Sequence, residues 1–186
     1  MSELNLILIG PPGAGKGTQA EQLQNDFRLP YIATGDLMRA KRREDSELGR
    51  EIDRIISEGE LVPDDIVSRA LFEEIDARGD DGFLLDGFPR TKGQADTLDA
   101  ALEQRGRGLT AVLHIDVPDD VIVQRDDDRP EVIQKRLDVY HRETKPLLQR
   151  YEDAGILRSF DGTRTPDEVH RHIRATLATL RLEERL

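Results

Sequence analysis

The sequence predicts an α/β sandwich of three layers, in which a central sheet of five parallel strands is flanked by helices. Two observations carry this prediction. Strand-like runs alternate with helical stretches along the chain, which is the order that strand–helix–strand units impose. The runs Leu6–Ile9, Phe83–Leu85 and Val112–Leu113 are continuously apolar rather than alternating. Such runs are typical of parallel strands that are buried on both faces.

The individual elements follow from this alternation. The predicted strands lie at Leu4–Ile9, Pro30–Ala33, Phe83–Asp86, Ala111–Val117 and Ile156–Phe160. The predicted helices lie at Gly15–Asp26, Gly35–Arg43, Ser46–Glu58, Pro63–Ala77, Lys92–Arg105, Pro118–Arg125, Arg129–Ala154 and Thr165–Leu182. Capping boxes are expected at the starts of the last two helices, at Asp128 and Thr165. Pro146 is expected to kink the long helix, because a proline removes one helical hydrogen bond.

Composition excludes several classes of function. A chain of 186 residues is long enough for one domain with a full core. Its formal net charge of −11 argues against nucleic-acid or membrane-surface binding that rests on overall charge. The absence of cysteine excludes disulfides and thiolate zinc sites, so no zinc is expected. The four histidines show no metal-ligand spacing and are expected to be ordinary surface or core residues.

The hydropathy of the chain indicates a cytoplasmic protein. No apolar stretch approaches the ~20 residues that a transmembrane helix needs. The N-terminal sequence also lacks the pattern of a secretory signal peptide.

A glycine-rich segment, Gly10–Thr18, follows the first predicted strand and opens the first predicted helix. In this context backbone N–H groups of the loop and of the helix N-terminus point at an anion. Lys16 adds a positive charge that reaches the outer phosphates of a nucleotide. The usual phosphate loop has Ser or Thr directly after the lysine, to meet Mg²⁺. Here Gly17 intervenes and Thr18 follows, which departs from the pattern.

Two further polar segments follow the second and third predicted strands. They are Thr34–Arg39 and Asp86–Thr91, the latter with Gln94 just beyond it. Since ligands of open parallel sheets gather at the carboxyl ends of the strands, these segments are expected to meet the glycine-rich loop. Arg39 and Arg90 suit bidentate recognition of a second phosphate group. Asp86 ends a buried strand, where a carboxylate commonly holds Mg²⁺ directly or through water.

These motifs, taken together in order, resemble the adenylate kinases within the nucleoside monophosphate kinases. The resemblance covers nearly the whole chain and implies a P-loop kinase fold in a single domain, residues 1–186. The matching stretches are Gly10–Thr18, Thr34–Arg39, Glu60–Pro63, Gly82–Arg90 with Gln94, Arg125–Asp127, Arg136–Leu137, Tyr140, Pro146–Leu147 and Asp161–Thr163. It further implies reversible phosphoryl transfer from MgATP to AMP, giving two ADP, by an enzyme that is monomeric in the family.

The resemblance also implies roles for individual residues. Those implied in catalysis are Lys16, Asp86, Arg90, Arg125 and Arg136. Those implied around ATP are Gly13, Ala14, Gly15, Lys16, Gly17, Thr18, Arg125 and Arg164, with Mg²⁺ held through phosphates and water near Thr18 and Asp86. Those implied around AMP are Thr34, Arg39, Glu60, Leu61, Val62, Gly87, Phe88, Pro89, Arg90, Gln94, Arg125 and Arg136. Gln94 is expected to read the adenine, and residues 33–62 are expected to form a small mobile AMP-binding subdomain.

The sequence departs from the family at the lid, a segment that folds over ATP. Here Arg125 is followed directly by Asp126, and the lid is expected to be absent at this junction. Arg125 then matches two family arginines at once, one from each side of the lost segment. Because a lid excludes water and supplies charge to the donor phosphates, we expect weaker ATP binding, a lower kcat and some transfer to water.

Three other functions remain open on sequence grounds. UMP/CMP kinases resemble the chain but tend to have Ala at position 34 and Asn at position 91, so Thr34 and Thr91 favour AMP. A nucleotide-binding module with little catalysis would not need the whole set of Lys16, Asp86, Arg90 and Arg136. A simple ATPase is disfavoured because no dedicated water-positioning residue is recognisable.

Overall fold

The computed structural model of the chain describes residues 4–78, 82–122 and 130–183. Its sheet has five parallel strands in the spatial order β2-β3-β1-β4-β5. The strands are β1 (Asn5–Ile9), β2 (Tyr31–Ala33), β3 (Phe83–Asp86), β4 (Ala111–Asp116) and β5 (Leu157–Asp161). The predicted fold class is therefore confirmed, and all five predicted strands are present within one or two residues.

Helices cover both faces of this sheet. They are α1 (Lys16–Phe27), α2 (Thr34–Lys41), α3 (Glu47–Ser57), α4 (Asp64–Arg78), α5 (Lys92–Gln104), α6 (Pro130–Val139), α7 (Leu147–Asp153) and α8 (Pro166–Glu183). Among the described helices, none is both long and apolar enough to cross a bilayer.

Two apolar cores, one on each face of the sheet, explain why the strands are continuously apolar. Successive residues of a strand point to opposite faces. Accordingly, Ile7 lies in a core with residues of α2, α3, α4, α5 and α7. Its neighbours Leu6 and Leu8 lie in a second core with residues of α1 and α8. All three side chains are at most 1% exposed, so a polar residue at any of these positions would be buried.

The start of α8 confirms one predicted capping box. The Thr165 amide donates to Glu168 Oε2 at 3.1 Å, and the Glu168 amide donates in return to Thr165 Oγ1 at 3.4 Å. The Thr165 hydroxyl also donates to Glu168 Oε2 at 2.8 Å. The hydroxyl and amide bonds from Thr165 stabilise the carboxylate and hold the pKa of Glu168 below its usual value. The box predicted at Asp128 lies outside the described residues.

The long predicted helix is interrupted where Pro146 was expected to kink it. Between α6 and α7 the backbone makes a π-helical turn, Tyr140–Thr144, in which the Lys145 amide bonds to the Tyr140 carbonyl at 2.8 Å. Pro146 has no N–H with which to continue the ladder, and it becomes the N-cap of α7. The interruption brings Tyr140 and Thr144 to the cavity described below.

The helix predicted at Pro118–Arg125 is wrong in its described part. Only a single 3-10 turn forms there, at Asp119–Val121, and Ile122 is already extended with φ −68° and ψ 123°. The adjacent β-branched residues Val121 and Ile122 lose side-chain freedom in a helix, which disfavours its continuation. The rest of this predicted helix lies outside the described residues.

Candidate active site

The glycine-rich segment connects β1 to α1 as predicted. The strand ends at Ile9, and the helix begins at Lys16 after Gly15, whose φ of 84° is a left-handed conformation that favours glycine. The first turn of α1 contains no acidic residue. The positive end of the helix dipole is therefore not neutralised by the helix itself, which favours binding of an anion there.

Lys16 lies across this loop. Its Nζ donates to the carbonyl oxygens of Gly10 and Pro11, each at 2.9 Å. These bonds hold the ammonium group at the mouth of the loop. A phosphate that enters the loop would meet a cation that is already in place, so little reorganisation is needed.

A cavity opens beside Lys16 at the carboxyl ends of β1, β2 and β3. The strand register brings these three ends together, because Asp86 near the end of β3 pairs with Leu8 of β1 and with Ala33 of β2. Nearly all of the residues expected around AMP line this cavity together with Lys16. They are Thr34, Arg39, Glu60, Leu61, Val62, Gly87, Pro89, Arg90, Gln94 and Arg136.

Phe88 is the exception among the described residues expected there. Its side chain is fully buried in the core and stands edge-on to Phe72, with the ring centroids 6.5 Å apart. Since Gly87 and Pro89 on either side line the cavity, any contribution of Phe88 is through its main chain. Arg125 lies outside the described residues.

Arg90 is held by three neighbouring groups. Its amide donates to Gln94 Oε1 at 2.8 Å, and its Nε donates to the Gly87 carbonyl at 2.9 Å. Thr144 of the π-helical turn donates from Oγ1 to the Arg90 carbonyl at 2.8 Å. Thr34 donates to the same Gly87 carbonyl at 2.8 Å. The backbone and guanidinium of Arg90 are therefore positioned before any ligand arrives.

Arg39 and Glu60 are each engaged in an ion pair at the cavity wall. Arg39 pairs with Asp36 one helical turn earlier, and Glu60 pairs with Lys135 of α6 at 2.9 Å. The Arg39 side chain is 44% exposed, so a solvated pair of this kind contributes little to stability. A phosphate group could therefore displace Asp36 from Arg39 at small cost.

The residues expected around the donor nucleotide are more scattered. Thr18 lies exposed in the first turn of α1. Arg164 follows β5 and donates from Nε to Asp161 Oδ2 at 3.2 Å. Asp86 ends β3. Thr18, Asp86 and Arg164 do not line the cavity that holds Lys16.

The Asp86 carboxylate is held by a neighbouring tyrosine. It accepts a bond from the Tyr31 hydroxyl at 3.1 Å. Burial, and then the Asp86 charge, raise the pKa of Tyr31, so Tyr31 stays protonated and keeps donating to Asp86.

Several residues of the site were missed by sequence reasoning. Arg42, Tyr140 and Thr144 line the cavity, and Asp64 bonds to Thr91 and Gln94 from the start of α4. Tyr140 belongs to a stretch that matches the family, which was a usable signal. Arg42 lies three residues after the matching stretch Thr34–Arg39, and Asp64 directly follows the matching stretch Glu60–Pro63. These neighbouring matches were the available signals, although the bond from Gln94 to Asp64 joins residues thirty positions apart.

His114 of β4 pairs with Ile9 at the end of β1, and its side chain contacts Ser159 and Tyr140. Its Nδ1 lies 3.2 Å from Ser159 Oγ, and its Nε2 lies 3.4 Å from the Tyr140 hydroxyl. The side chain is 9% exposed. Burial lowers the pKa of His114, with Asp116 opposing the shift and Lys145 and Lys16 adding to it. Burial likewise raises the pKa of Tyr140 to about 12, so its hydroxyl remains a donor.

This burial predicts a pH dependence of stability. Below about pH 6.5 the unfolded chain gains a proton on His114 that the folded chain resists, so the free energy of unfolding falls as the pH is lowered. We expect this loss to be smaller in His114→Gln than in the wild type, measured by urea unfolding at about pH 7.5 and about pH 5.5. His172→Gln, which alters an exposed histidine, serves as the control. If the free energy of unfolding fell equally in the wild type and in His114→Gln, buried His114 would not be the source of the pH dependence.

Comparison with known proteins gives a consistent result. The family model described as adenylate kinase matches residues 8–156. The adenylate kinase of Syntrophomonas wolfei is 40% identical over 215 positions, which cover 95% of this chain and 100% of that protein. That of Methanosarcina mazei is 40% identical over 94% of this chain and 99% of that protein. That of Micrococcus luteus is 43% identical over 88% of this chain and 85% of that protein.

The alignment with the Syntrophomonas wolfei protein is longer than this chain, 215 positions against 186 residues. Part of that protein therefore has no counterpart here. The match nevertheless extends over most of both proteins, and the family model spans the glycine-rich loop, the arginine-lined cavity and the π-helical turn. The chain therefore belongs to the adenylate kinase family.

Proposed function

We propose that this chain transfers the γ-phosphoryl group of MgATP reversibly to AMP, giving two ADP. One observation carries the proposal beyond family membership. Lys16 of the phosphate loop lines the same cavity as Arg39, Arg90 and Arg136. A donor phosphate in the loop would therefore lie next to an acceptor phosphate in the cavity, which is the arrangement that direct transfer requires.

Phosphoryl transfer needs positioning and positive charge more than covalent chemistry. In our proposal the loop amides and Lys16 hold the donor phosphates, and Arg39 and Arg90 bind the phosphate of AMP. Arg136 stands between the two and neutralises charge that develops on the transferring group. No general base is required, because the attacking phosphate oxygen of AMP is already anionic. Arg125 and Arg164 are assigned to the donor nucleotide, the latter beside its base.

The residues near the loop fit a magnesium ion that is carried by the nucleotide. Within the described ranges, no group of three or more His, Asp or Glu side chains is arranged to hold a metal by itself. Thr18 and Asp86 offer oxygen atoms, which Mg²⁺ prefers, and the phosphates and water would supply the remaining ligands. The ion supplies charge neutralisation on the donor phosphates when it is bound.

We further assign residues 33–62, which include α2 and α3, to an AMP-binding subdomain. This segment supplies Thr34, Arg39 and Glu60–Val62 to the cavity lining. Gly87, Pro89 and Arg90 after β3, together with Gln94 of α5, line the same cavity. In the proposed complex AMP contacts both groups, so that closure of the subdomain would exclude water from the acceptor phosphate.

The missing lid is also a proposal, located at the Arg125–Asp126 junction outside the described residues. Its support is the direct continuity of the sequence there and the greater length of the Syntrophomonas wolfei alignment. Without a lid the donor phosphates stay open to solvent, and at least one phosphate-binding arginine is lost. We therefore propose a reduced kcat and slow phosphate release to water.

The test is ADP formation from MgATP with and without AMP, read in parallel with release of inorganic phosphate. We expect ADP formation to depend on AMP, at a kcat below that of the Syntrophomonas wolfei relative assayed in parallel, with slow phosphate release when AMP is omitted. Faster turnover with CMP or UMP than with AMP would assign the chain to UMP/CMP kinase activity. Phosphate release that AMP does not alter, without transfer, would indicate an ATPase. AMP binding without turnover would leave only a binding function.

A further inference from the structure

Asp64 joins the start of α4 to the start of α5 by bonding to Thr91 and to Gln94, of which Gln94 lines the cavity. Its Oδ1 accepts a hydrogen bond from Gln94 Nε2 at 2.8 Å. Its Oδ2 accepts a second bond from the Thr91 hydroxyl at 2.7 Å. Thr91 is the N-cap of α5 and also accepts a bond from the Gln94 amide at 3.1 Å. Both carboxylate oxygens are thus directed at the segment that carries Gln94.

These contacts fix the orientation of the Gln94 side-chain amide. Its Oε1 accepts a bond from the Arg90 backbone N–H at 2.8 Å, while its Nε2 donates to Asp64. If the amide were rotated by half a turn, its oxygen would face a carboxylate and its NH₂ group would face an N–H donor. Both contacts would be repulsive, and Gln94 is 2% exposed, so water could not relieve them.

The fixed amide presents a defined hydrogen-bond pattern to the cavity. An amide has two lone pairs on oxygen and two hydrogens on nitrogen. One of each is used by Arg90 and Asp64, which leaves one acceptor site and one donor hydrogen in a set order. Adenine presents an amine donor at C6 next to an acceptor at N1, which complements this order. A 6-oxopurine such as hypoxanthine presents an acceptor at C6 next to an N1–H donor, which is the reverse.

We propose that Asp64 is a positioning residue that selects adenine over 6-oxopurines in the acceptor site, by preventing rotation of the Gln94 amide. The inference rests on the proposed function, in which Gln94 faces the base of AMP. A glutamine that rotated freely would match either base by turning over. The discrimination therefore comes from the cost that Asp64 and the Arg90 N–H impose on the rotated amide.

The test is Asp64→Asn, with Asp65→Asn as the matched control. The new amide at position 64 can donate a hydrogen bond to the rotated Gln94 oxygen, which removes one of the two repulsive contacts. Asp65 is exposed and occupies the next position of the same first turn of α4. Its substitution removes an equal charge from the helix start, so effects of the helix dipole are matched. Asp64→Ser is a second variant, in case the first one is poorly folded.

The measurement is the dissociation constants of AMP and IMP by calorimetry, which does not depend on turnover. We expect the wild-type protein and Asp65→Asn to bind AMP much more tightly than IMP. In Asp64→Asn the ratio of the two dissociation constants should be about tenfold smaller. The dissociation constant of ATP should stay unchanged, which a general structural defect would not allow. An unchanged ratio of AMP to IMP affinity in both Asp64 variants would overturn the inference, as would an equal change in Asp65→Asn.

The binding data and the assay of turnover separate the two proposals. If the wild type prefers AMP, the Asp64 variants lose that preference and no ADP forms, the proposed function fails and the role of Asp64 stands. If ADP forms from AMP and the Asp64 variants discriminate as the wild type does, only the role of Asp64 fails. If the wild type binds AMP and IMP equally, there is no discrimination for Asp64 to produce, and the inference is overturned.

Discussion

Replacement of Lys16 by methionine is expected to lower the kcat of ADP formation by about 10²- to 10³-fold, the range seen when one preorganised donor is removed from a transition state. The Lys16 ammonium lies at 2.9 Å from two loop carbonyls, at the mouth of the phosphate loop. Methionine keeps the length of the side chain but has no charge to offer the transferring phosphoryl group. Initial rates at saturating AMP and MgATP measure the effect.

The control for this variant is Lys92→Met, which removes an exposed lysine at the start of α5. It should leave kcat within about twofold of the wild type, because the loss of a solvated charge outside the cavity has little effect. The affinity of Lys16→Met for AMP should be close to that of the wild type, since AMP is assigned to the arginines. A kcat for Lys16→Met near the wild-type value would refute the assignment of the donor site.

Replacement of Gly87 by alanine is expected to damage both the fold and the acceptor site. Gly87 has φ +80°, and a Cβ placed there would lie 2.8 Å from Thr34 Oγ1 and 2.9 Å from Arg90 Nη2. The left-handed backbone costs a non-glycine residue about 1 kcal/mol, and overpacking adds about 1–3 kcal/mol. We expect the free energy of unfolding to fall by about 2–4 kcal/mol. The affinity for AMP should fall by about tenfold or more, because Arg90 must move.

Gly106→Ala separates backbone strain from the collision. Gly106 has φ +66°, but beyond its two chain neighbours no residue has a heavy atom within 4 Å of the position of its Cβ. This variant should lose only about 1 kcal/mol in urea unfolding and should bind AMP as the wild type does. Equal losses of stability in the two variants, with AMP affinity retained in Gly87→Ala, would show that the crowding around Arg90 has no energetic role.

The strands and the phosphate loop could be predicted from the sequence because their signals are local. The apolar run Leu6–Ile9 needs only its own residues to indicate a strand buried on both faces. The segment Gly10–Thr18 contains its own glycines and lysine. The turn that it forms between β1 and α1 could therefore be predicted without knowledge of distant contacts. Pro146 similarly predicted a break by a property of its own ring.

The tertiary structure decided what depends on residues that are distant in sequence. The support of Arg90 by Thr144 links residues 54 positions apart. The orientation of Gln94 is likewise set by Asp64 from another helix. A hydrogen bond between two elements exists only once packing has brought both of them together. The sequence by itself therefore determined the fold class and most of the residues that line the cavity, whereas only the folded chain decided how their side chains are oriented.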